Sequence, residues 1–105
     1  MAMSAGQGYI ANTTGLLTLT LPTSIAVGST IYIIGLGAGT WRINQTRAGE
    51  QIFIGSVFST AGNTGAAVSN NRYDCITLTC MLNDTVTPSY LWTATSVISA
   101  GINLI

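Results

Sequence analysis

The chain has 105 residues, 48% of them hydrophobic and only 6% charged, with three arginines balancing three acids and neither lysine nor histidine. Ordinary soluble domains carry about 25% charged residues. This balance leaves no basic face to collect phosphates and argues against a nucleic-acid ligand, while the length fits one domain. No stretch reaches ~18 uninterrupted apolar residues, so no membrane-inserting helix is expected. Plentiful Ile, Leu, Val and Thr predict β structure rather than disorder. Low charge with this much apolar side chain also predicts that identical subunits cover part of the surface, because large exposed apolar patches are unusual on monomers.

Met1-Ala-Met-Ser-Ala-Gly6 lacks the positive and apolar regions of a signal peptide. Residues 1–6 read as a linker remnant, implying that the natural protein continues upstream, and residues 7–105 as a single β domain. Gly8 to Asn12 reads as a first strand. Leu16 to Leu21 alternates with period two, Leu17, Leu19 and Leu21 inward and Thr18 and Thr20 outward, until Pro22 removes a ladder donor. Thr23 to Gly28 reads as a connector, in which Ser24 to Val27 is too short for a helix and Gly28 closes the turn. The centre of the chain is a β-branched run, Ile31 to Ile34, then Gly35, Gly37 and Gly39, then a strand placing Trp41 and Ile43 on one face and Arg42 and Asn44 on the other.

Gln45 to Glu50 has hairpin-loop chemistry, and Gln51 to Gly55 reads as the next strand. Ser56 to Asn71 reads as a long surface loop in which Ala66-Ala-Val68 adds at most a few paired residues. Arg72 to Leu82 reads as the longest strand, with Ile76, Leu78, Cys80 and Leu82 on one face. Ser89 to Ile98 follows, with Tyr90, Trp92, Ala94, Ser96 and Ile98 together, and Ile102 to Ile105 closes the chain. Seven to eight short strands without a helix predict an all-β fold, an antiparallel β-sandwich or small barrel.

Chemistry-bearing motifs are few. Gly35-x-Gly37-x-Gly39 follows a strand as nucleotide loops do, but it leads into a second strand and not the helix N-terminus that phosphate requires. No histidine offers a base, no serine sits in a nucleophile elbow, and Glu50, Asp74 and Asp84 are dispersed, so no enzyme, cofactor or metal is expected. Arg72 and Asp74, two apart on a strand, would share a face as a surface or interface ion pair. Cys75 and Cys80 lie five steps apart, about 16 Å in a strand, beyond disulfide reach and on opposite faces. They read as free thiols, with a bridge between subunits as the other possibility.

Five segments taken in order carry a resemblance. They are Gly8-Tyr-Ile-Ala-Asn12, Leu17-Thr-Leu-Thr-Leu-Pro22, Ala26-Val-Gly-Ser29, Ile34-Gly-Leu-Gly-Ala-Gly-Thr-Trp-Arg-Ile43 and Asn71-Arg-Tyr-Asp-Cys75. Together the set resembles the C-terminal head domain of phage tail-fibre and tail-spike proteins and of related bacterial surface proteins. The resemblance implies a homotrimeric β head on a fibrous stalk, located at a virion tail-fibre tip or on a cell surface, and presented to a receptor. The end of the chain departs from that family: Ser99-Ala-Gly-Ile-Asn-Leu-Ile105 is longer and more apolar than the family's glycine, polar residue and short β-branched run.

Two readings follow from different classes. One is an adhesin-like head contacting surface glycans, whose apolar faces and polar edges call for aromatic platforms, amides and hydroxyls. Trp41 and Trp92 fit the core better than such a platform. The expected outward ligand set is Arg42, Asn44, Gln45 and Arg47, with Phe58, Asn63, Asn70 and Asn71 from the long loop. The other reading is a trimerisation or capping module, or a virion-surface subunit, with no ligand of its own.

Overall fold

The computed structural model describes residues 1–23 and 25–105; Ser24, within the expected connector, lies outside the described residues. Ten strands are described: β1 Gly8–Ala11, β2 Leu17–Thr20, β3 Thr30–Gly35, β4 Trp41–Asn44, β5 Glu50–Ile54, β6 Val57–Phe58, β7 Ala66–Ser69, β8 Cys75–Asp84, β9 Ser89–Ile98 and β10 Ile102–Leu104. One sheet has the order β1-β3-β8-β9-β5-β6 and the other β10-β7-β4-β2. Leu19, Trp41, Ile43 and Ala67 from the four-stranded sheet share one core with Ile31, Ile33, Ile52, Ile76, Leu78 and Trp92 from the six-stranded one. The fold is therefore an all-β two-sheet globule, and the sheets do not close into a barrel.

The sheets are mixed, not antiparallel as expected. β1–β3, β2–β4 and β5–β9 pair parallel. The cause is the path of the chain, which alternates between sheets from β1 through β5. Two crossings return the chain to its starting sheet in the same direction, so β1 and β3, and β2 and β4, become parallel neighbours, while β5 lies beside β9 on the far side of β8. Gln45–Glu50 is accordingly a crossover from β4 to β5, not a hairpin loop.

Successive crossovers stack on each other. Leu36 N and Gly37 N both donate to Ala11 O at 2.9 Å, and Gly39 N donates to Thr13 O at 2.8 Å. A Cβ at Gly37 or Gly39 would fall inside the van der Waals shells of the Thr13 and Gly15 backbones. The glycine repeat thus permits close approach between two backbones, the structural turn its context predicts.

Period-two patterning builds the core as expected along β3 and β4, where Ile31, Ile33, Trp41 and Ile43 are buried and Tyr32 and Ile34 exposed. Both tryptophans are fully buried, and each indole N–H has a partner: Trp41 Nε1 donates to Asp74 O at 3.0 Å and Trp92 Nε1 to Glu50 Oε2 at 3.1 Å. Truncating either tryptophan should cost about 3–5 kcal/mol.

Four expectations need correction. The segment 56–71 is not one surface loop, because β6 pairs with β5 and β7 pairs between β4 and β10. Ala66 and Ala67, in the central strand β7, are completely buried. Next, β8 begins at Cys75, so Arg72 and Asp74 lie in a preceding turn and form no ion pair. Register shifts between Thr77 and Leu78 and between Cys80 and Leu82 also break the alternation. Past the unpaired Thr95, Val97 stands opposite Ile76 and Ile98 opposite Cys75, so Ile98 faces outward and not with Trp92. Finally, ten strands replace the expected seven to eight, because the short β6 and β7 escape a propensity reading, whereas the closing strand β10 lies within the expected Ile102 to Ile105.

At the start of the chain, Met3 is buried in the core, Met3 N donates to Thr20 O at 2.9 Å, and Thr20 N donates to Met1 O at 2.9 Å. Residues 1–3 thus run along the free edge of β2 and cover it.

Candidate functional site

The eight expected ligand residues separate into four places. Gln45 is not outward at all: it is 2% exposed. Its Nε2 donates to Thr60 O at 2.8 Å and Gly62 O at 2.7 Å, and its Oε1 accepts from Ser59 Oγ. A Cβ at Gly65 would overlap this amide, so the 60–65 segment is folded around the Gln45 side chain. The physical reason is accounting: a crossover buried between sheets leaves carbonyls without ladder partners, and one amide supplies several of them.

Arg47 belongs to the same clasp. Its Nη2 lies 2.8 Å from Glu50 Oε2, its Nη1 donates to Thr23 O at 3.2 Å, and its guanidinium stacks 3.8 Å from the Tyr90 ring centroid. Glu50 is completely buried and also accepts from Thr46 N at 2.8 Å, Arg47 N at 3.3 Å and Trp92 Nε1. With both carboxylate oxygens committed, Glu50 ties β5 to β9 and to the crossover that precedes it. A buried carboxylate at this position is invisible to sequence reading, because its partners Trp92 and Tyr90 are some 40 residues away; the one local signal is Arg47, three positions before it.

Asn70 and Asn71 stand at a second place, the turn before β8. Asp74, 2% exposed, anchors it by accepting from Ser69 Oγ at 3.0 Å, Asn70 N at 3.1 Å and Asn71 N at 3.0 Å. Burial alone would raise the Asp74 carboxyl, but hydrogen bonds from Ser99, Asn71, Ser69 and Asn70 outweigh it and hold the group below its ordinary value. The turn presents Tyr73 at φ 71°, a left-handed conformation strained for a non-glycine residue, with its ring exposed. Arg72 lies 4.9 Å above that ring and donates from Nε to Leu36 O at 3.0 Å.

The third place is the outer face of the four-stranded sheet. The register sets Thr18, Arg42, Val68 and Asn103 in one row across all four strands, with Thr20 and Asn44 in the next. Arg42 Nε donates to Asn44 Oδ1, so these two expected residues do come together. Phe58 lies elsewhere, at the edge of the six-stranded sheet with its ring 5.6 Å from Phe53, and Asn63 is exposed in the loop after β6.

The outer face of the six-stranded sheet is different in kind. Its register places Ile10, Ile34, Cys75 and Ile98 side by side across four strands, and Thr30, Thr79 and Thr93 across three. Ile10 is 64% exposed, Ile34 41% and Ile98 69%. Leu36 and Tyr73, also exposed, continue beyond Ile34 and Cys75 at the same end. The two thiols sit on opposite faces, Cys80 in the core and Cys75 in this row. A separate open cleft of about 300 Å³ lies beside the chain start, between Met3, Thr20, Pro22 and Thr46, and no aromatic or charged side chain lines it.

No protein-family model matches this chain, and no curated protein matches it in sequence. The arrangement of its own residues carries the functional reading.

Proposed function

We propose that this chain is a homotrimeric, adhesin-like head domain of a phage tail fibre or cell-surface fibre, with one sheet turned toward its own copies and the other toward surface glycans. The observation that carries this reading is the contrast between the two outer faces. The six-stranded sheet exposes Ile10, Ile34 and Ile98 in one row, whereas the four-stranded sheet exposes Thr18 and Asn103 in a row with the half-buried Arg42 and Val68. An exposed apolar row belongs against protein; a row carrying hydroxyl, guanidinium and amide groups matches the hydroxyl edges of a sugar.

The capping reading, an assembly module without a ligand, has its own support. Both tryptophans are core residues, and Gln45, Arg47, Phe58, Asn63, Asn70 and Asn71 do not converge with Arg42 and Asn44. A glycan array probed with the intact chain separates the two. Binding that is lost in Arg42→Ala supports the adhesin-like head; silence across the array, from a chain that still assembles, supports the cap.

A further inference from the structure

We propose that the row Ile10–Ile34–Cys75–Ile98 on the outer face of the six-stranded sheet is the contact each copy makes with the next, with Cys75 at its centre. This rests on the self-association reading above and adds the face that mediates it. Four neighbouring strands each contribute one member, and the cross-strand pairs Ile10↔Ile34, Ile34↔Cys75 and Cys75↔Ile98 make the row continuous.

Charge decides the occupant. Glu50 is paired internally with Arg47, Asp74 is buried in its turn, and Asp84 Oδ1 accepts from Val86 N and Thr87 N at the far end of β8. Arg72, three residues before Cys75 in the chain, is drawn aside onto Tyr73 and Leu36 O. An acidic or basic partner would surrender its hydration against this face and gain nothing in return. A second copy brings an equally uncharged apolar row, so neither side strands a charge. The backbone accommodates this presentation: at Gly8, beside the row, a Cβ would overlap the Tyr32 ring, so the missing side chain lets that ring lie flat toward the sheet edge.

The test combines sedimentation with thiol cross-linking of the intact chain. Ile34→Arg and Ile98→Arg place a charge in the row at exposed positions, and Val86→Arg, in a turn far from it, is the control; circular dichroism checks that each retains its strands. The expected result is an assembly for the parent chain and for Val86→Arg, and a threefold lower mass, 10.9 kDa, for the two row variants. A short bis-maleimide should link parent chains in pairs and leave Cys75→Ser unlinked, because burial withholds Cys80 and pushes its thiol pKa up. An assembly that survives Ile34→Arg and Ile98→Arg, or fails to link through Cys75, overturns the assignment of this face while leaving self-association standing. A parent chain that sediments as a single copy overturns both.

Discussion

Trp92 donates its indole N–H to Glu50 across 3.1 Å in a site sealed from solvent, and this bond joins β9 to the crossover that changes sheets. Glu50 also holds Arg47, so the acid is the node at which two strands and a loop meet.

Glu50→Ala should therefore be among the most damaging single changes in the chain. It strands the guanidinium of Arg47 and leaves the Trp92 N–H and Thr46 N–H without acceptors, a loss of about 3–5 kcal/mol. Glu50→Gln keeps the shape and should lose less, about 1–3 kcal/mol. Urea unfolding followed by tryptophan fluorescence measures both, and equal losses would show that packing, not charge, dominates the site.

The turn before β8 predicts a pH dependence. The folded Asp74 carboxyl titrates below its ordinary value of 3.8, so the unfolded chain takes up the proton first as pH falls. Its contribution is fully present above about pH 4 and is lost as pH drops through the lower folded value. Asp74→Asn should be less stable than the parent at pH 7 and should show a flatter stability profile below pH 4. Parallel profiles for the two proteins would assign the acid sensitivity to another group.

Substitutions at the stacked crossovers should separate close approach from flexibility. Gly37→Ala and Gly39→Ala drive a methyl into neighbouring backbone and should each lose about 1–3 kcal/mol. Gly15→Ala, where a Cβ meets nothing, should stay within about 0.5 kcal/mol of the parent. Thermal melts of the three variants make the comparison.

Tyr73 holds a left-handed backbone conformation while burying little of its ring. That conformation costs an L-residue about 1–2 kcal/mol, and glycine recovers it at an entropic cost of about 0.5–1 kcal/mol. Tyr73→Gly should thus be neutral to slightly stabilising in urea, and Tyr73→Val clearly destabilising. A large loss in Tyr73→Gly would mean that the ring contributes contacts its exposure does not suggest.

Much of the fold is legible from alternation alone. Ile31, Ile33, Trp41 and Ile43 are buried where period two places them, and β9 spans the expected Ser89 to Ile98. What stays hidden depends on distant partners. Parallel pairing follows from the sheet-to-sheet path, which no local pattern encodes. Ala66 and Ala67 give no strand signal because their burial comes from neighbours on both sides. The Thr95 bulge turns Ile98 from core to surface without a proline or glycine to announce it. The candidate site was less legible still: Arg42 and Asn44 sit together as expected, but Gln45 and Arg47, which follow them in sequence, turn inward, Gln45 to the Thr60 carbonyl and Arg47 to Glu50.

Whether copies of this chain associate is read from the mass of the intact chain in solution. Sedimentation equilibrium should return three times the 10.9 kDa chain mass, with the three copies sheltering the isoleucines that one copy leaves exposed. A mass of 10.9 kDa at every loading concentration would contradict it.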